Sequence, residues 1–370
     1  MMRSDDRRDD AARALDTRIA AFIANGDRDE AAFEHLALEV FAYQFERNAP
    51  YRRHCERMGR TPSGVARWSD IPPVPTSAFA TVRLACFGPE RTALTFVSSG
   101  TTSAGAAASK HELDAAYLYE ASLWAHWRSC VVPDSPSMPI FAFGAPDEEA
   151  PHSSLAYMMS RLVSMHPEGR FFVHDGALDH GEAYAALAGC DEPVILFGTA
   201  IAFVHFFDRC RIDGKRFELP EGSRVVETGG FKGWKREVTR EALYEQFTEI
   251  LSVPRDACVS EYGMCELGSQ WYDANLRDML ERKPPRRDVK IGPAWARIRI
   301  VDPVTAESVP DGEPGLIQCF DLSNRGSVAA ILTGDVGKIR DGGFEWLGRS
   351  HFALPKGCSI AADELLETGR

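Results

Sequence analysis

The stretch PVILFGTA (residues 193–200) places four apolar residues in a row before a glycine and a threonine. A short apolar run bounded by turn-forming residues is typical of a strand that is buried on both faces. Runs of the same kind occur between residues 93 and 230, and they read ALTFVSS, PIFAFGAP, RFFVHDG and SRVVETGG. Segments with helical spacing separate them. Strands that alternate with helices predict an α/β fold whose sheet has a mostly parallel centre.

The predicted helices flank these strands. They cover HELDAAYLYEASLWAHW (111–127), PHSSLAYMMSRLVS (151–164) and KREVTREALYEQFTEIL (235–251). Near the N-terminus, DEAAFEHLALEVFAYQFERNAPY repeats its apolar residues at helical intervals. Asp27 or Asp29 can cap the start of that helix, and Asn48-Ala49-Pro50 predicts its end.

The pattern changes after residue 288. KIGPAWARIRIVD, GEPGLIQCFDL and GKIRDGGFEWLG read as strands joined by turns such as PDGEPG and RDGG. The charged segment ERKPPRRD (281–288) before them predicts a surface loop. We therefore divide the chain into a helical lead-in, an α/β core, a β-rich subdomain of that core and a short tail. Their ranges are 1–85, 86–287, 288–348 and 349–370.

Composition narrows the class of protein. The chain has 370 residues, 44% of them hydrophobic, and a formal net charge of −12. That content suits a folded core, whereas the acidic balance argues against binding to nucleic acid. No stretch approaches the ~20 apolar residues of a membrane span. The N-terminus lacks a signal-peptide core, and the nine cysteines form no CxxC pair. We expect a cytoplasmic protein with reduced cysteines that does not bind a membrane.

The segment FVSSGTTSAGAAASKHELD (96–114) is rich in hydrogen-bond donors. Gly100 and Gly105 permit backbone conformations in which consecutive amides point at phosphate oxygens. Lys110 adds a cation, and we predict that a helix starts near it. This is not a Walker A loop, because alanines stand at 106 and 107 where Lys and Ser or Thr belong. The alternative is a flexible Ser/Gly surface loop.

Three later segments carry groups that can hold a nucleotide. SEYGMCELGSQ (260–270) places a tyrosine and a glutamate after an apolar run. ILTGDVG (331–337) predicts a tight turn with Asp335 at its tip. EWLGRSHFALPKGCS (345–359) ends a hairpin at Gly348-Arg349 and continues to Lys356. A carboxylate can accept hydrogen bonds from a ribose diol or hold Mg²⁺ near phosphates, and a tyrosine can stack on a purine.

The order of these motifs resembles that of the adenylate-forming enzymes. Within that superfamily the chain is most similar to the acyl-protein synthetase family (LuxE), with phenylacetate–CoA ligases as cousins. The similarity covers nearly the whole chain, including VETGGFKGWKRE (226–237) and the lead-in VFAYQFERNAPYRRHC. It implies the large N-terminal domain of that superfamily, with a helical lead-in, mostly parallel sheets flanked by helices and a β-rich subdomain. We also expect the complete C-terminal lid domain to be absent.

The resemblance implies a site for ATP and Mg²⁺. Glu266 would ligate Mg²⁺, Tyr262 would stack near adenine, and Asp335 would bind the ribose hydroxyls. Arg349 would lie near ribose and phosphate, and Thr228 would line the nucleotide or acyl pocket. The full set implied for ATP or AMP is Ser98, Ser99, Gly100, Thr101, Thr102, Gly229, Gly230, Glu261, Tyr262, Gly263, Asp335 and Arg349. The alternatives are that Tyr262 is a core residue and that Arg349 pairs with a surface carboxylate.

The sequence departs from the family pattern in two places. Cys265 stands where a threonine is usual, and Ser103-Ala104-Gly105 replaces the usual glycine after the loop threonines. Near the C-terminus, Lys356-Gly357-Cys358-Ser359 matches the family sequence whose cysteine accepts the acyl group. Cys358 is thus implied as the nucleophile, and Lys356 beside it would favour the thiolate.

The expected function is ATP-dependent activation of a carboxylic acid, in this family a fatty acid, as acyl-AMP. The acyl group would pass to Cys358 and on to a partner such as a reductase or a carrier protein. The alternatives are a CoA or amide-forming ligase that uses the same first step, and a non-catalytic nucleotide-binding homologue. The acid, the acceptor and the oligomeric state stay open. A pocket for the acid is expected among Phe141, Phe143, Phe197, Phe203 and Phe231, whose alternative role is the core.

Overall fold

The computed structural model describes residues 7–98, 108–135, 137–166, 168–229 and 239–350. It divides into two compact units. The first comprises the chain up to Ala125, Met264–Gln270 and the chain from Ile291 onward, and the second comprises His126–Gly263 and Trp271–Lys290. The predicted mixture of helices and sheet is confirmed in both.

The helices begin and end at identifiable caps. Asp9 and Asp29 accept hydrogen bonds from the backbone N–H groups three residues later, at the starts of the first two helices. Asn48 ends the second helix, as the sequence predicts, and it also caps the start of the third. The helices are α1 Asp10–Asn25, α2 Glu30–Arg47, α3 Ala49–Arg57, α4 Tyr117–Cys130, α5 Ser154–Val163, α6 His180–Ala188, α7 Ala200–Asp213, α8 Arg240–Leu251 and α9 Asn275–Leu280.

The described strands account for every predicted apolar run. They are β1 Val74–Pro75, β2 Leu94–Val97, β3 Lys110–Leu113, β4 Ile140–Phe143, β5 Arg170–Phe171, β6 Val173–His174, β7 Ala177–Leu178, β8 Ile195–Thr199, β9 Arg224–Thr228, β10 Cys258–Tyr262, β11 Trp271–Asp273, β12 Lys290–Ile291, β13 Ala296–Val301, β14 Gly315–Asp321, β15 Ala330–Arg340 and β16 Gly343–Arg349.

The second unit holds the mostly parallel sheet. Its strand order is β11-β10-β9-β8-β4-β5, and all neighbours are parallel except β11 and β10. Strands β8 and β9 are fully or almost fully buried, which explains the continuous apolar sequence that opens β8. β9 also buries the polar residues Arg224 and Glu227 beside its two valines. The carboxyl ends of the parallel strands therefore meet at one edge of the sheet, where polar residues replace apolar ones.

The first unit holds the antiparallel, β-rich part. Strands β13, β14, β15 and β16 follow one another as an antiparallel sheet, and β1 pairs in parallel with β15. The turn between β15 and β16 contains Asp341 and Gly342, both with positive φ, as the RDGG pattern predicts. The ERKPPRRD segment is an exposed loop apart from partly buried residues at Pro285, Arg286 and Asp288.

Two predictions about local structure are wrong. The helix predicted over 111–127 begins only at Tyr117, because Lys110–Leu113 pairs with Leu94–Val97 as strand β3. Lys110 therefore lies on a strand and not at a helix start. Asp335 lies within strand β15 and not at the tip of a turn. Gly337 beside it marks a bulge where a Cβ would come within 2.9 Å of the Glu345 carbonyl oxygen.

Candidate functional site

The edge of the parallel sheet carries a row of polar side chains. Thr199, Thr228 and Glu261 lie opposite one another at the carboxyl ends of β8, β9 and β10. The Thr228 hydroxyl donates a hydrogen bond to Glu261 Oε2. Gly229 follows with φ of 76°, a conformation that favours glycine. The strand ends that the motifs identified in sequence are therefore neighbours in space.

The Glu261 carboxyl is almost completely buried, with 7% of its surface exposed. Burial raises the pKa of this carboxyl to about 7, although the Thr228 hydrogen bond and the Lys290 ammonium oppose the rise. The carboxyl therefore changes its protonation state near neutral pH. Adjacent to Thr228 on β9, Glu227 faces the other side of the sheet and accepts a 2.9 Å hydrogen bond from the Tyr244 hydroxyl.

Tyr262 is the last residue of β10. It is 8% exposed, and its ring packs edge-on against Trp271, with 6.2 Å between the ring centroids. Gly263 follows it, and the boundary between the two units passes between Gly263 and Met264. Gly230 lies outside the described residues. The structure thus places Thr228, Gly229, Glu261, Tyr262 and Gly263 in the second unit.

The other motif residues belong to the first unit, where the base of the predicted phosphate loop is closed. Ser98 N–H donates to the Ser109 carbonyl at 3.0 Å, and Ser109 N–H donates to the Ser98 hydroxyl oxygen at 2.9 Å. Residues 99–107, which include Ser99, Gly100, Thr101 and Thr102, lie outside the described residues. The pairing of β2 with β3 nevertheless fixes where that loop leaves and rejoins the sheet.

Asp335 and Arg349 face each other across the β15–β16 hairpin. They are paired in register, and Arg349 Nε lies 3.3 Å from Asp335 Oδ1. Asp335 is 5% exposed, whereas 41% of the Arg349 side-chain surface is exposed. The partner of Arg349 is therefore a buried motif residue and not a surface carboxylate.

The segment from Cys265 to Gly268 is held by side chains of the same unit. His111 Nδ1 lies 2.8 Å from the Cys265 carbonyl oxygen, and Asn324 Nδ2 donates to the Glu266 carbonyl at 2.7 Å. Asp321 Oδ2 accepts from Gly268 N–H at 3.0 Å. Burial raises the pKa of the Cys265 thiol, and the neighbouring Glu266 carboxylate raises it further. This side chain therefore stays protonated.

Sequence reasoning missed three of these supporting residues. His111 stands within the KHELD motif, where a lone histidine gives no specific signal. Asp321 and Asn324 belong to DLSN (321–324), which resembles a turn in sequence; the side chain of Asp321 indeed caps a short 3₁₀ segment. The clue was the position of DLSN at the end of a buried strand, β14.

The residues present fit a magnesium ion that is held together with a nucleotide. Within the described ranges, no group of three or more His, Cys, Asp or Glu side chains is arranged to hold a metal. Mg²⁺ is commonly bound through one or two carboxylates plus substrate phosphates. Glu266, 6% exposed and with its main chain fixed by Asn324, matches that single-carboxylate pattern.

The phenylalanines expected around an acid pocket pack with one another in the second unit. Phe143 contacts Phe203 and Phe206 with ring centroids 5.0 and 4.9 Å apart, and Phe141 contacts Phe172. Phe141, Phe143 and Phe203 belong to one buried cluster, and Phe197 is fully buried. These four side chains therefore have the core role, and Phe231 lies outside the described residues.

Solved structures share this fold. A 2-hydroxyisobutyryl-CoA ligase in complex with 2-HIB-AMP and CoA superposes with a TM-score of 0.61 at 14% identity, over 86% of this chain and 70% of the ligase. ATP-bound MatB from Rhodopseudomonas palustris gives a TM-score of 0.51 at 16% identity, over 80% of this chain and 56% of MatB. The chain thus spans little more than half the length of MatB. The fold is that of the adenylate-forming ligases.

The sequence assigns the family. A family model described as "Acyl-protein synthetase, LuxE" matches residues 12–366. A long-chain-fatty-acid–luciferin-component ligase from Vibrio harveyi is 23% identical over 318 residues, which cover 83% of this chain and 79% of that protein. The chain belongs to the acyl-protein synthetase (LuxE) family and is an enzyme of the ligase class. Among the described residues, no helix is both long and apolar enough to cross a bilayer.

Proposed function

We propose that this ligase activates a carboxylic acid with ATP and then transfers the acyl group to a thiol. In the first step a carboxylate oxygen of the acid attacks the α-phosphorus of ATP. A new P–O bond forms, the bond to the β-phosphate breaks, and acyl-AMP and pyrophosphate result. Family membership supports acyl activation, and the fold supports the adenylate route, because it is shared with a ligase crystallised with an acyl-adenylate.

The observation that carries this proposal is the contact between Asp335 and Arg349. The two residues were assigned to ribose and phosphate by separate motifs, and they lie 3.3 Å apart across one hairpin. A buried carboxylate beside a half-exposed guanidinium offers an acceptor for ribose hydroxyls and a donor for phosphate oxygens. Asp335 would bind the ribose, while Arg349 would orient Asp335 and contact the phosphate side.

Glu266 would hold the magnesium ion that accompanies ATP. When bound, Mg²⁺ would neutralise phosphate charge during displacement of pyrophosphate. Asn324 fixes the Glu266 carbonyl, so the carboxylate projects from a restrained backbone. At the sheet edge, Thr228 and Gly229 would contact the nucleotide through the turn after β9, and Tyr262 would pack beside the base. The phosphate loop at 98–102 would supply amide and hydroxyl donors.

In the second step the acyl group would move to Cys358. Its thiolate attacks the acyl carbonyl carbon, a thioester bond forms, and the bond to the AMP oxygen breaks so that AMP leaves. Cys358 and Lys356 lie outside the described residues, and their roles rest on the family motif. The names of the curated relatives make long-chain fatty acids the proposed substrates. A reductase or a carrier protein would be the final acceptor, as the family resemblance implies.

The test is ATP–pyrophosphate exchange with Mg²⁺ across fatty, aryl and small functionalised acids. Exchange is expected with long-chain acids, and Glu266→Ala and Asp335→Ala should each abolish it. Glu313→Ala removes an exposed carboxylate from the same unit and is the matched control. Unchanged exchange and an unchanged apparent ATP affinity in Asp335→Ala would contradict the ribose assignment. No exchange with any acid would contradict adenylation.

Cys358→Ser separates the two steps. The variant should keep ATP–pyrophosphate exchange and lose the radiolabelled acyl group that remains on the denatured wild-type protein. If both proteins carry equal label, Cys358 is not the acceptor. If the wild type forms acyl-AMP but carries no label, exchange combined with CoA or amine addition would identify a CoA or amide-forming ligase.

A further inference from the structure

His111 lies on β3, opposite Phe96 of β2, and is fully buried. Its Nδ1 lies 2.8 Å from the Cys265 carbonyl oxygen. A carbonyl oxygen can only accept, so Nδ1 carries the proton of this hydrogen bond. Burial lowers the pKa of the imidazole to about 4, and the ring is therefore neutral at physiological pH. It follows that Nε2 is an unprotonated acceptor.

No donor for Nε2 exists within the part of the chain that the structure describes. An unsatisfied buried acceptor destabilises the folded state, because it gives up its hydrogen bond to water without replacement. The ring makes a T-shaped contact with Phe79, at 5.9 Å between centroids, which an apolar ring can also make. A histidine here is therefore not explained by the core alone. Its distinguishing property is the Nδ1–H donor aimed at Cys265.

That donor acts on the segment that leads to Glu266. Asn324 and Asp321 hold the backbone at Glu266 and Gly268 from the turn after β14. His111 holds the preceding carbonyl from a different element, the strand that rejoins the sheet after the phosphate-loop region. Rotation of the 265–266 peptide would break the His111 hydrogen bond, so the bond restricts the direction in which the Glu266 carboxylate projects.

We propose that His111 is a positioning residue for Glu266, acting through its Nδ1–H hydrogen bond to the Cys265 carbonyl. The proposal rests on the proposed function, because the role of Glu266 belongs to the adenylation step. It assigns no ligand to His111. Residues that orient a metal-binding carboxylate typically change affinity or activity by about 10–100-fold when they are replaced.

Three substitutions of His111 distinguish the roles of its two ring nitrogens. His111→Asn places an amide donor near the position of Nδ1 and keeps the contact with Cys265. His111→Gln carries its amide near the position of Nε2 and removes the Nδ1 donor. His111→Phe retains the ring volume and removes both nitrogens. His54→Phe is the matched control, because buried His54 also bonds a backbone carbonyl, that of Pro73 at 3.1 Å, in the same unit.

The first measurement is kcat/KM for MgATP in acid-dependent exchange, together with the Mg²⁺ concentration that gives half-maximal rate. We expect His111→Asn to stay within about threefold of the wild type, and His111→Gln and His111→Phe to lose about 10–100-fold with a raised Mg²⁺ requirement. His54→Phe should lower thermal stability without changing the Mg²⁺ requirement. Equal activity of the Asn and Gln variants, or a loss no larger than in His54→Phe, would overturn the proposal.

A second measurement does not depend on catalysis. Amide hydrogen exchange, followed by mass spectrometry, reports the opening of residues 264–270 in the free enzyme. Exchange there should accelerate in His111→Gln and His111→Phe but not in His111→Asn. Unchanged exchange in all three variants would overturn the positioning role even if activity falls. A wild-type enzyme with no acid-dependent activity would count against adenylation, while the amide exchange would still decide the role of His111.

Discussion

Two buried polar regions of the molecule differ in how completely their charges are paired. In the first unit, Arg325 is 2% exposed and donates hydrogen bonds of 2.7–3.0 Å to both carboxylate oxygens of Asp16 and of Asp114. Arg8 donates a further bond to Asp16 at 2.9 Å. This cluster ties helix α1 to the end of β3 and to the turn after β14. Its charges are balanced within the protein.

The sheet edge of the second unit is different. The Glu261 carboxyl is also buried, but it accepts a hydroxyl hydrogen bond from Thr228 where Asp16 has a guanidinium. Burial therefore dominates and raises its pKa to about 7. The comparison teaches that a buried charge held by full pairing serves the fold. A buried carboxyl with one neutral hydrogen-bond partner, at the end of a parallel strand, is a candidate functional group, as the proposed nucleotide site requires.

The largest expected effect comes from breaking the paired cluster. Arg325→Met leaves two buried carboxylates without their shared cation, and the free energy of unfolding should fall by about 3–5 kcal/mol. Urea denaturation at neutral pH measures this. Arg216→Met is the control, because Arg216 and Glu249 form a 2.7 Å pair with 69% and 51% of their side chains exposed. Its effect should stay below about 1 kcal/mol. Equal losses of unfolding free energy in Arg325→Met and Arg216→Met would show that the buried cluster stabilises the fold no more than an exposed ion pair does.

The next effect concerns pH. The Glu261 pKa is raised from 4.5 to about 7 in the folded protein, so the folded state binds more protons than the unfolded state in that window. The contribution of this group to stability is therefore greatest below pH 4.5 and is lost as pH rises through 7, by about 3 kcal/mol. Glu261→Gln cannot titrate. Its unfolding free energy relative to wild type should rise by up to that amount between pH 5 and pH 8.

Denaturant unfolding of both proteins across this pH range provides the measurement, with Glu313→Gln as an exposed control. A difference between Glu261→Gln and wild type that does not vary with pH would mean that the Glu261 carboxyl is not perturbed. The sheet edge would then resemble the paired cluster, and the distinction between the two regions would fail.

The smallest expected effect comes from Gly229, and it tests whether the turn after β9 at the sheet edge contacts the nucleotide. Gly229→Ala has space for its methyl group among the described residues, none of whose atoms lies within 4 Å of the added Cβ, but φ of 76° strains any L-residue by about 1–2 kcal/mol. Gly26→Ala is matched, with φ of 70° and open space at the end of α1. Both should lose about 1 kcal/mol of stability. Gly229→Ala alone should raise KM for ATP several-fold, and an equal KM in the two variants would contradict a nucleotide role for this turn.

Much of the fold follows from sequence because its signals are local. The apolar runs of β8 and β9 are buried on both faces, and Asp29 and Asn48 cap helices where predicted. The local pattern gave a wrong prediction at β3, where it indicated a helix from His111 onward. Pairing with β2 overrides that helical spacing. Helix α7 was not predicted, although its buried residues Ala200, Phe203, Phe207 and Cys210 follow helical spacing; apolar Ile212 lies off that face and is exposed.

In the candidate site, too, the sequence predicts individual residues but not the contacts between them. Asp335 and Arg349 were identified separately from motifs, whereas their contact depends on the register of a bulged hairpin that no local pattern specifies. The hydrogen bond from His111 to Cys265 joins residues 154 positions apart. The raised pKa of Glu261 likewise depends on which strands lie beside β10. Such properties arise from tertiary packing, and the sequence alone indicates only the residues that take part.

The burial of the cysteines has a consequence for chemical probing. Of the eight described cysteines, seven are buried and Cys190 is half-buried, and all eight are free thiols. Burial raises the pKa of Cys55 and Cys86 to about 12 and that of Cys210 to about 11, so these thiolates are scarce at neutral pH. An alkylating reagent applied to the native enzyme would therefore meet a low background from them. Rapid labelling, and its protection by an acyl substrate, could then be assigned to Cys358 by peptide mapping without replacing any other cysteine.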